Sequence, residues 1–486
     1  MSESNKLLRG TVVLTIGRVT GYGLSFVRNL ILARLLSKVD YGLAAVFGMA
    51  MTLLEVSGRM GFGMQIIQSK AGGDGNFQAS AHALQFFGGL CSACLIAGLS
   101  VPMARLFGVP STSWAFAALA VVPLCQGLGH LDVSRFQRQF EYLPIVLVEV
   151  VPQFLITVAA WPLAIWFKDY RVIVWLMIGK AVTGAVLTFI LATRPYRWAW
   201  EREHWRGMLS FGWPLLLTGL VMFGSQQADQ LLVGAVFSLN TLASYSLAFS
   251  LVSIPWFIFG SVADSLMLPL LARVQDDAEH LHRQYRVCAQ TAAVAGVIFT
   301  LPLIVLGEQL TTLLYGTKYQ GTGVFVALLG AAAALRFLRL APTIAAMARA
   351  DNINQLYSNL WRAANLPLAL GVVALGGTPV QIAGCGLVAE VLAVLVSVRL
   401  LRRRQGVPLR ESSSACIYAV TMVSIATAVA VLARTSWSVW LATAVAAGTL
   451  AIALGAAWSI FPDVARLASD TMRRGSSLTA GQPAPT

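Results

Sequence analysis

Fourteen stretches, each about the twenty mostly apolar residues that a bilayer-spanning helix needs, run the length of this chain. Roughly, they cover 10–36, 41–68, 79–104, 110–130, 142–167, 171–193, 207–237, 241–268, 286–306, 322–346, 353–375, 378–399, 413–433 and 437–461. Turn chemistry punctuates them: Ala71-Gly72-Gly73-Asp74-Gly75 follows the second, and Gly376-Gly377-Thr378-Pro379 parts the eleventh from the twelfth. In hydrocarbon a backbone must satisfy its own hydrogen bonds, so stretches of this length are helices. Only 12% of the residues are charged and 57% are apolar, against about a quarter and a half in soluble domains. These proportions exclude a soluble enzyme, a disordered chain and a nucleic-acid binder. The expected fold is an all-α integral membrane protein of about fourteen transmembrane helices. The first apolar run, Gly10 to Leu36, is too long for the apolar part of a signal peptide.

Lysine and arginine in the loops set the orientation. With a cytoplasmic N-terminus, twenty-one of the 35 basic residues fall in inner segments and six in outer loops. Both termini are therefore expected inside. Two basic clusters mark joints: Arg194, Arg197, Arg202 and Arg206 after the sixth segment, and Arg399, Arg402, Arg403, Arg404 and Arg410 after the twelfth. The expected organisation is an N-terminal lobe of six helices (1–196), a C-terminal lobe of six (197–404), two further helices (405–462) and a disordered cytoplasmic tail (463–486). The lobes are weakly similar. Laid over one another without a gap, Gly23 to Ser37 and Gly224 to Ser238 pair Asn29 with Gln230 and Arg28 with Asp229; a little further on, Tyr41 meets Tyr245. Two like-oriented lobes leave a central cleft, a transporter arrangement.

Eight basic residues remain inside the spans: Arg18, Arg28, Arg34, Arg59, Lys180, Arg336, Arg339 and Arg362. Five acids join them: Glu55, Glu149, Asp229, Asp264 and Glu390. An ionised side chain at mid-bilayer costs at least about 2.5 kcal/mol, so most of these must pair or line a wet cavity. Arg34 is near enough to a helix end to snorkel. Glu55 and Arg59 are four apart and share a helix face. Arg336 and Arg339 are three apart, and two like charges on one face are unfavourable unless an anion or water lies between them. Bases outnumber acids, which predicts an anionic ligand; the planar fork of arginine suits phosphate or carboxylate. Arg18, Arg28, Arg59, Arg336, Arg339 and Arg362, with Lys180, are the candidate ligand-binding residues. Glu55, Glu149 and Asp229 are the candidate coupling or gating acids.

Other chemistries leave no mark in the sequence. No P-loop pattern, HExxH or nucleophile elbow is present, so no cofactor or metal is expected. Cys91 and Cys94 form a CxxC, but inside an apolar helix, where two small packing residues is the simpler reading. Energy for transport is then expected from an ion gradient, the membrane potential or removal of the ligand on the far side.

Several segments carry a resemblance. Ala33-Arg34-Leu35-Leu36-Ser37-Lys38-Val39-Asp40-Tyr41-Gly42 resembles the joint between the first two helices of bacterial polysaccharide flippases. The run Glu55 to Gln68, the loop Ser134-Arg135-Phe136-Gln137-Arg138-Gln139-Phe140, the pair Phe211 to Leu216 and Asp229 to Gly234, and the loop Leu270 to Asp277 resemble later segments of the same family, in the same order. That family belongs to the multidrug, oligosaccharidyl-lipid and polysaccharide exporter superfamily. The resemblance implies an inner-membrane protein with two lobes around a cationic cleft that opens to either side in turn. It also implies a cargo of undecaprenyl-diphosphate-linked oligosaccharide units moved to the periplasmic leaflet for exopolysaccharide, capsule or O-antigen assembly. The implied partners are membrane lipid, a polysaccharide polymerase with its export machinery, and a coupling ion, Na+ or H+. Two rival readings stand beside it: a cation-coupled drug exporter, which calls for an acid-rich cleft, and a membrane enzyme acting on lipid-linked sugars.

Overall fold

The structure, a computed structural model, describes residues 3–58, 60–433, 437–466 and 469. All regular secondary structure among these residues is helical. The α-helices are α1 Glu3–Leu35, α2 Lys38–Gly58, α3 Phe62–Gln68, α4 Gly75–Leu106, α5 Ser113–Ala118, α6 Val121–Leu128, α7 Asp132–Arg138, α8 Leu143–Phe167 and α9 Arg171–Leu191. They continue as α10 Arg202–Val236, α11 Leu239–Ala272, α12 Ala278–Tyr315, α13 Gly323–Ala348, α14 Ile353–Arg362, α15 Asn365–Ala374, α16 Pro379–Gln405, α17 Arg410–Ala433 and α18 Val439–Ile460. Eleven helical stretches among the described residues are long and apolar enough to cross a membrane. The other expected segments coincide with α1, with α2 and its continuation α3, and with the pair α14 and α15.

Besides 41–68, which divides into α2 and α3, two segments that read as continuous are broken at prolines. The stretch 110–130 divides into α5 and α6, and 353–375 into α14 and α15. Each gap contains the residue four places ahead of a proline: Leu119 before Pro123, and Ala363 before Pro367. Proline has no N–H to offer that carbonyl, and its ring crowds it.

Contacts divide the chain into two compact units. Unit one holds Met1–Ser250, Leu314–Tyr319 and Leu366–Ile382; unit two holds Leu251–Leu313, Gln320–Asn365 and Ala383–Thr486. In unit one, α1 packs on α8, α8 on α9, and α4 on α5 and α6. Small residues permit these approaches: a Cβ on Gly17 would come within 2.7 Å of Val146, and one on Gly89 within 2.6 Å of the Pro123 carbonyl. Helix α10, first of the expected second lobe, packs on α2 and α4 within this unit. Gly61, in the left-handed conformation at φ 71°, turns the chain from α2 into α3.

In unit two α13 is central, with 83% of its apolar window buried against 17% for the peripheral α18. The run Ala331-Ala332-Ala333-Ala334, all buried, lets neighbours close around α13. Its core gathers Tyr285, Ile304, Leu338, Tyr418 and Phe461. Large apolar side chains such as Trp161, Ile190, Leu395, Ile417 and Ile452 are exposed on the spans. Such surface belongs in lipid.

Candidate functional site

A cavity of about 1000 Å³ opens inside unit one. Helix α1 forms one wall with Gly17, Gly21, Ser25 and Arg28, a stripe at helical spacing that also brings in Arg18. Glu149 and Gln153 enter from α8, Lys180 and Thr188 from α9, and Gln85 and Gln126 from α4 and α6. Four of the sequence-derived candidates thus meet in one space: Arg18, Arg28, Lys180 and Glu149. Among the described lining residues these three bases and one acid favour an anion. The Arg28 Nη2 donates to Asn29 Oδ1 at 3.2 Å, which holds the guanidinium at the wall.

The other three candidate bases gather elsewhere, in unit two. Arg336 and Arg339 from α13 and Arg362 from the end of α14 surround the carboxylate of Glu390 on α16. The Nε–O distances are 2.9 Å for Arg336, 3.6 Å for Arg339 and 2.7 Å for Arg362. Glu390 is 1% exposed. Arg339 also donates through Nη1 to Ser358 Oγ and Asn359 Oδ1, and the Arg336 guanidinium lies over the Trp256 ring, 5.8 Å from its centroid. The anion that the Arg336–Arg339 spacing calls for is therefore supplied from within the chain. Among the described residues three bases here face one acid.

Asp229, matched in sequence to Arg28, is buried. Its Oδ2 accepts from the Tyr245 hydroxyl at 2.5 Å and its Oδ1 from the Gln230 N–H at 2.9 Å. Glu55 lies on α2, its side chain outside the described residues, as Arg59 is entirely. The disorder expected of the tail also falls largely outside them, since residues 470–486 are not described. Sequence reasoning missed the role of Glu390 and the neutral lining of the cavity. Gln85 is one such residue: its Nε2 donates to the carbonyls of Gln126, Gly127 and Gly129 and so closes the end of α6. The signal was a glutamine amid apolar residues, which is as costly to bury unpaired as it is easy to pass over.

These features define a polytopic, all-helical membrane protein with a basic internal cavity. The chain belongs to the family described as polysaccharide biosynthesis protein, whose pattern matches residues 31–323. It is 21% identical over 331 residues to the lipopolysaccharide biosynthesis protein WzxC of Escherichia coli (strain K12), a match covering 66% of this chain and 65% of that protein. To the succinoglycan biosynthesis transport protein ExoT of Rhizobium meliloti (strain 1021) it is 22% identical over 304 residues, 61% of this chain and 60% of that protein. The chain thus spans less than two thirds of these curated relatives. Among solved structures, the lipid II flippase MurJ in an inward closed conformation superposes with a TM-score of 0.69 at 14% identity, covering 92% of this chain and 98% of that one. This likeness is one of fold.

Proposed function

We propose that the protein flips polyprenyl-diphosphate-linked oligosaccharide units from the cytoplasmic to the periplasmic leaflet by alternating access, with both termini in the cytoplasm. The observation that carries this reading is the unit-one cavity, where, among the described residues, Arg18, Arg28 and Lys180 stand against Glu149. Its family membership and relatives named for polysaccharide biosynthesis and transport support it. In this role Arg18, Arg28 and Lys180, with Arg59, receive the diphosphate. Arginine does so in two-pronged fashion, and a low-dielectric wall strengthens the attraction. Arg336, Arg339 and Arg362 form a second basic centre, balanced in part by Glu390. Asp229, Glu55 and Glu149 are the acids open to coupling with Na+ or H+. The polymerase and export machinery are the partners that consume the flipped unit. A drug exporter fits the cavity poorly, because a cationic drug would meet three bases.

The test is export in a strain lacking the native gene. Arg28→Ala is expected to cut polymer export about tenfold or more, the worth of one charged hydrogen-bonding group, with lipid-linked units accumulating in the inner leaflet. Normal export by Arg18→Ala and Arg28→Ala proteins present at normal levels would refute the assignment.

A further inference from the structure

Beside the large cavity lies a smaller one of about 270 Å³, also inside unit one. Arg28, Gly48, Thr52 and Met177 line both, so the two spaces share a wall. The chemistry changes across it. The polar lining of the smaller pocket is amide and hydroxyl, from Asn29, Gln227, Gln230, Ser246 and Ser250 with Tyr41 and Thr52, and among the described residues Arg28 is its one charged group. Among the described residues no carboxylate lines it, which suits it poorly to a metal cation. A single guanidinium at the rim is too little for a second phosphate. An apolar lipid tail would strip these amides of water with nothing in return.

The amides are held in place before any ligand arrives. Gln230 Nε2 donates to Gln227 Oε1 at 2.9 Å, and Ser246 Oγ donates to Gln230 Oε1 at 2.9 Å. Asn29 Nδ2 donates to Ser250 Oγ at 3.4 Å. A carboxamide has two N–H groups and two carbonyl lone pairs. These bonds take one of each on Gln230, which is 4% exposed, and leave one donor beside one acceptor. Adjacent hydroxyls on a sugar ring match that pair. At about 270 Å³ the pocket has room for a sugar ring with its hydroxyls. Asn29 and Gln230, the positions matched between the two halves of the sequence, both line it.

We infer that this pocket is a subsite for a neutral sugar: the ring attached to the diphosphate sits against Gln227, Gln230 and Ser246 while Arg28 holds the diphosphate. This rests on the flippase reading and adds to it the residues that select the first sugar.

Binding to the purified full-length protein in nanodiscs tests it, with four probes. One is bare polyprenyl diphosphate; the others carry a single glucose, galactose or N-acetylglucosamine. The wild type is expected to bind at least one sugar-bearing probe about tenfold more tightly than the bare lipid, the worth of one well-made buried hydrogen bond. Gln230→Leu is expected to erase that difference and leave bare-lipid affinity unchanged; Gln227→Ala, a milder change, reduces it. Arg28→Ala weakens all four. If no sugar improves binding in the wild type, or if Gln230→Leu and Gln227→Ala leave the preference intact, the subsite is refuted and the flippase reading stands. If Gln230→Leu and Gln227→Ala weaken bare and sugar-bearing probes alike, these residues are structural and the subsite is refuted. If the wild type binds none of the probes, both readings fall.

Discussion

At the scale of residues, the cluster around Glu390 makes an asymmetric prediction. Removing one partner of a buried ion pair costs about 3–5 kcal/mol because it strands the other charge. Glu390→Gln strands three arginines at once, whereas Arg336→Gln leaves a smaller net charge and two arginines still facing the carboxylate. Glu390→Gln is therefore expected to lower the apparent Tm in detergent well beyond Arg336→Gln. Equal shifts would show that the carboxylate is not what holds the arginines together. The sequence reading got halfway here. Two bases three apart on one helix need an anion, and that is a local inference. That the anion stands on α16, more than fifty residues on in sequence, depends on how α16 meets α13, and nothing in either segment states it. The cavity charges were legible for the opposite reason: Arg18 and Arg28 are bases inside an apolar span, which segment counting alone reveals, although the stripe they share with Gly17, Gly21 and Ser25 emerges only in the structure.

At the scale of elements, short connections are tied by single polar groups. The buried Asp132 at the start of α7 accepts from Arg135 Nε and Nη2, from Gln78 Nε2 on α4, and from Thr193 and Arg194 after α9. Arg138, one turn on, donates to the carbonyls of Ile66, Ile67 and Ser69 and caps α3. The sequence reading counted Arg135, Arg138 and Arg194 among the bases that set topology, and the first two within the family resemblance, but gave none a contact, since a loop arginine looks the same whether it faces water or a helix end. Burial pushes the Asp132 carboxyl up, but its bonds to Arg135, Thr193 and Arg194 outweigh that and hold it well below the usual carboxylate range. A carboxyl depressed in the folded state stabilises above its unfolded pKa, about 3.9, and loses that contribution as pH falls through the folded value. Asp132→Asn is thus expected to lower the apparent Tm at pH 7, with the gap to wild type narrowing below about pH 4. A gap unchanged from pH 7 down to pH 3 would refute the argument. The helix breaks belong to this scale too. Pro123 and Pro367 were in plain view, yet eight other prolines lie inside continuous helices. A proline marks where a break is cheap; packing decides whether it is used.

At the scale of the whole molecule, alternating access requires bonds at one end that form and break in each cycle. Unit one contains a set suited to this. Arg34, near the end of α1, donates through Nε to the Leu314 carbonyl at the end of α12, at 2.6 Å. Lys318, just beyond α12, donates through Nζ to the carbonyls of Arg34 and Leu36 at the end of α1. Each helix C-terminus carries an unsatisfied, partly negative set of carbonyls, and each is capped by a base from the other segment. Tyr41, Tyr315 and Tyr319 pack beside them, with the Tyr319 ring edge-on to each of the other two at 6.2 Å. The bonds from Arg34 to Leu314 and from Lys318 to Arg34 are exposed, and exposed charges are worth about 1 kcal/mol or less. A contact of that kind opens without a large barrier. Under the proposed topology it lies at the periplasmic end, where the proposed cycle calls for an opening. Cysteines placed by Leu36→Cys and Lys318→Cys, with the six native cysteines replaced, are expected to stop transport of labelled lipid-linked sugar in proteoliposomes when joined by a short cleavable bis-thiol reagent. Cleaving the reagent should restore it. Undiminished transport by the cross-linked protein would show that this end does not open, and the cargo's exit would then have to be sought elsewhere in the fold.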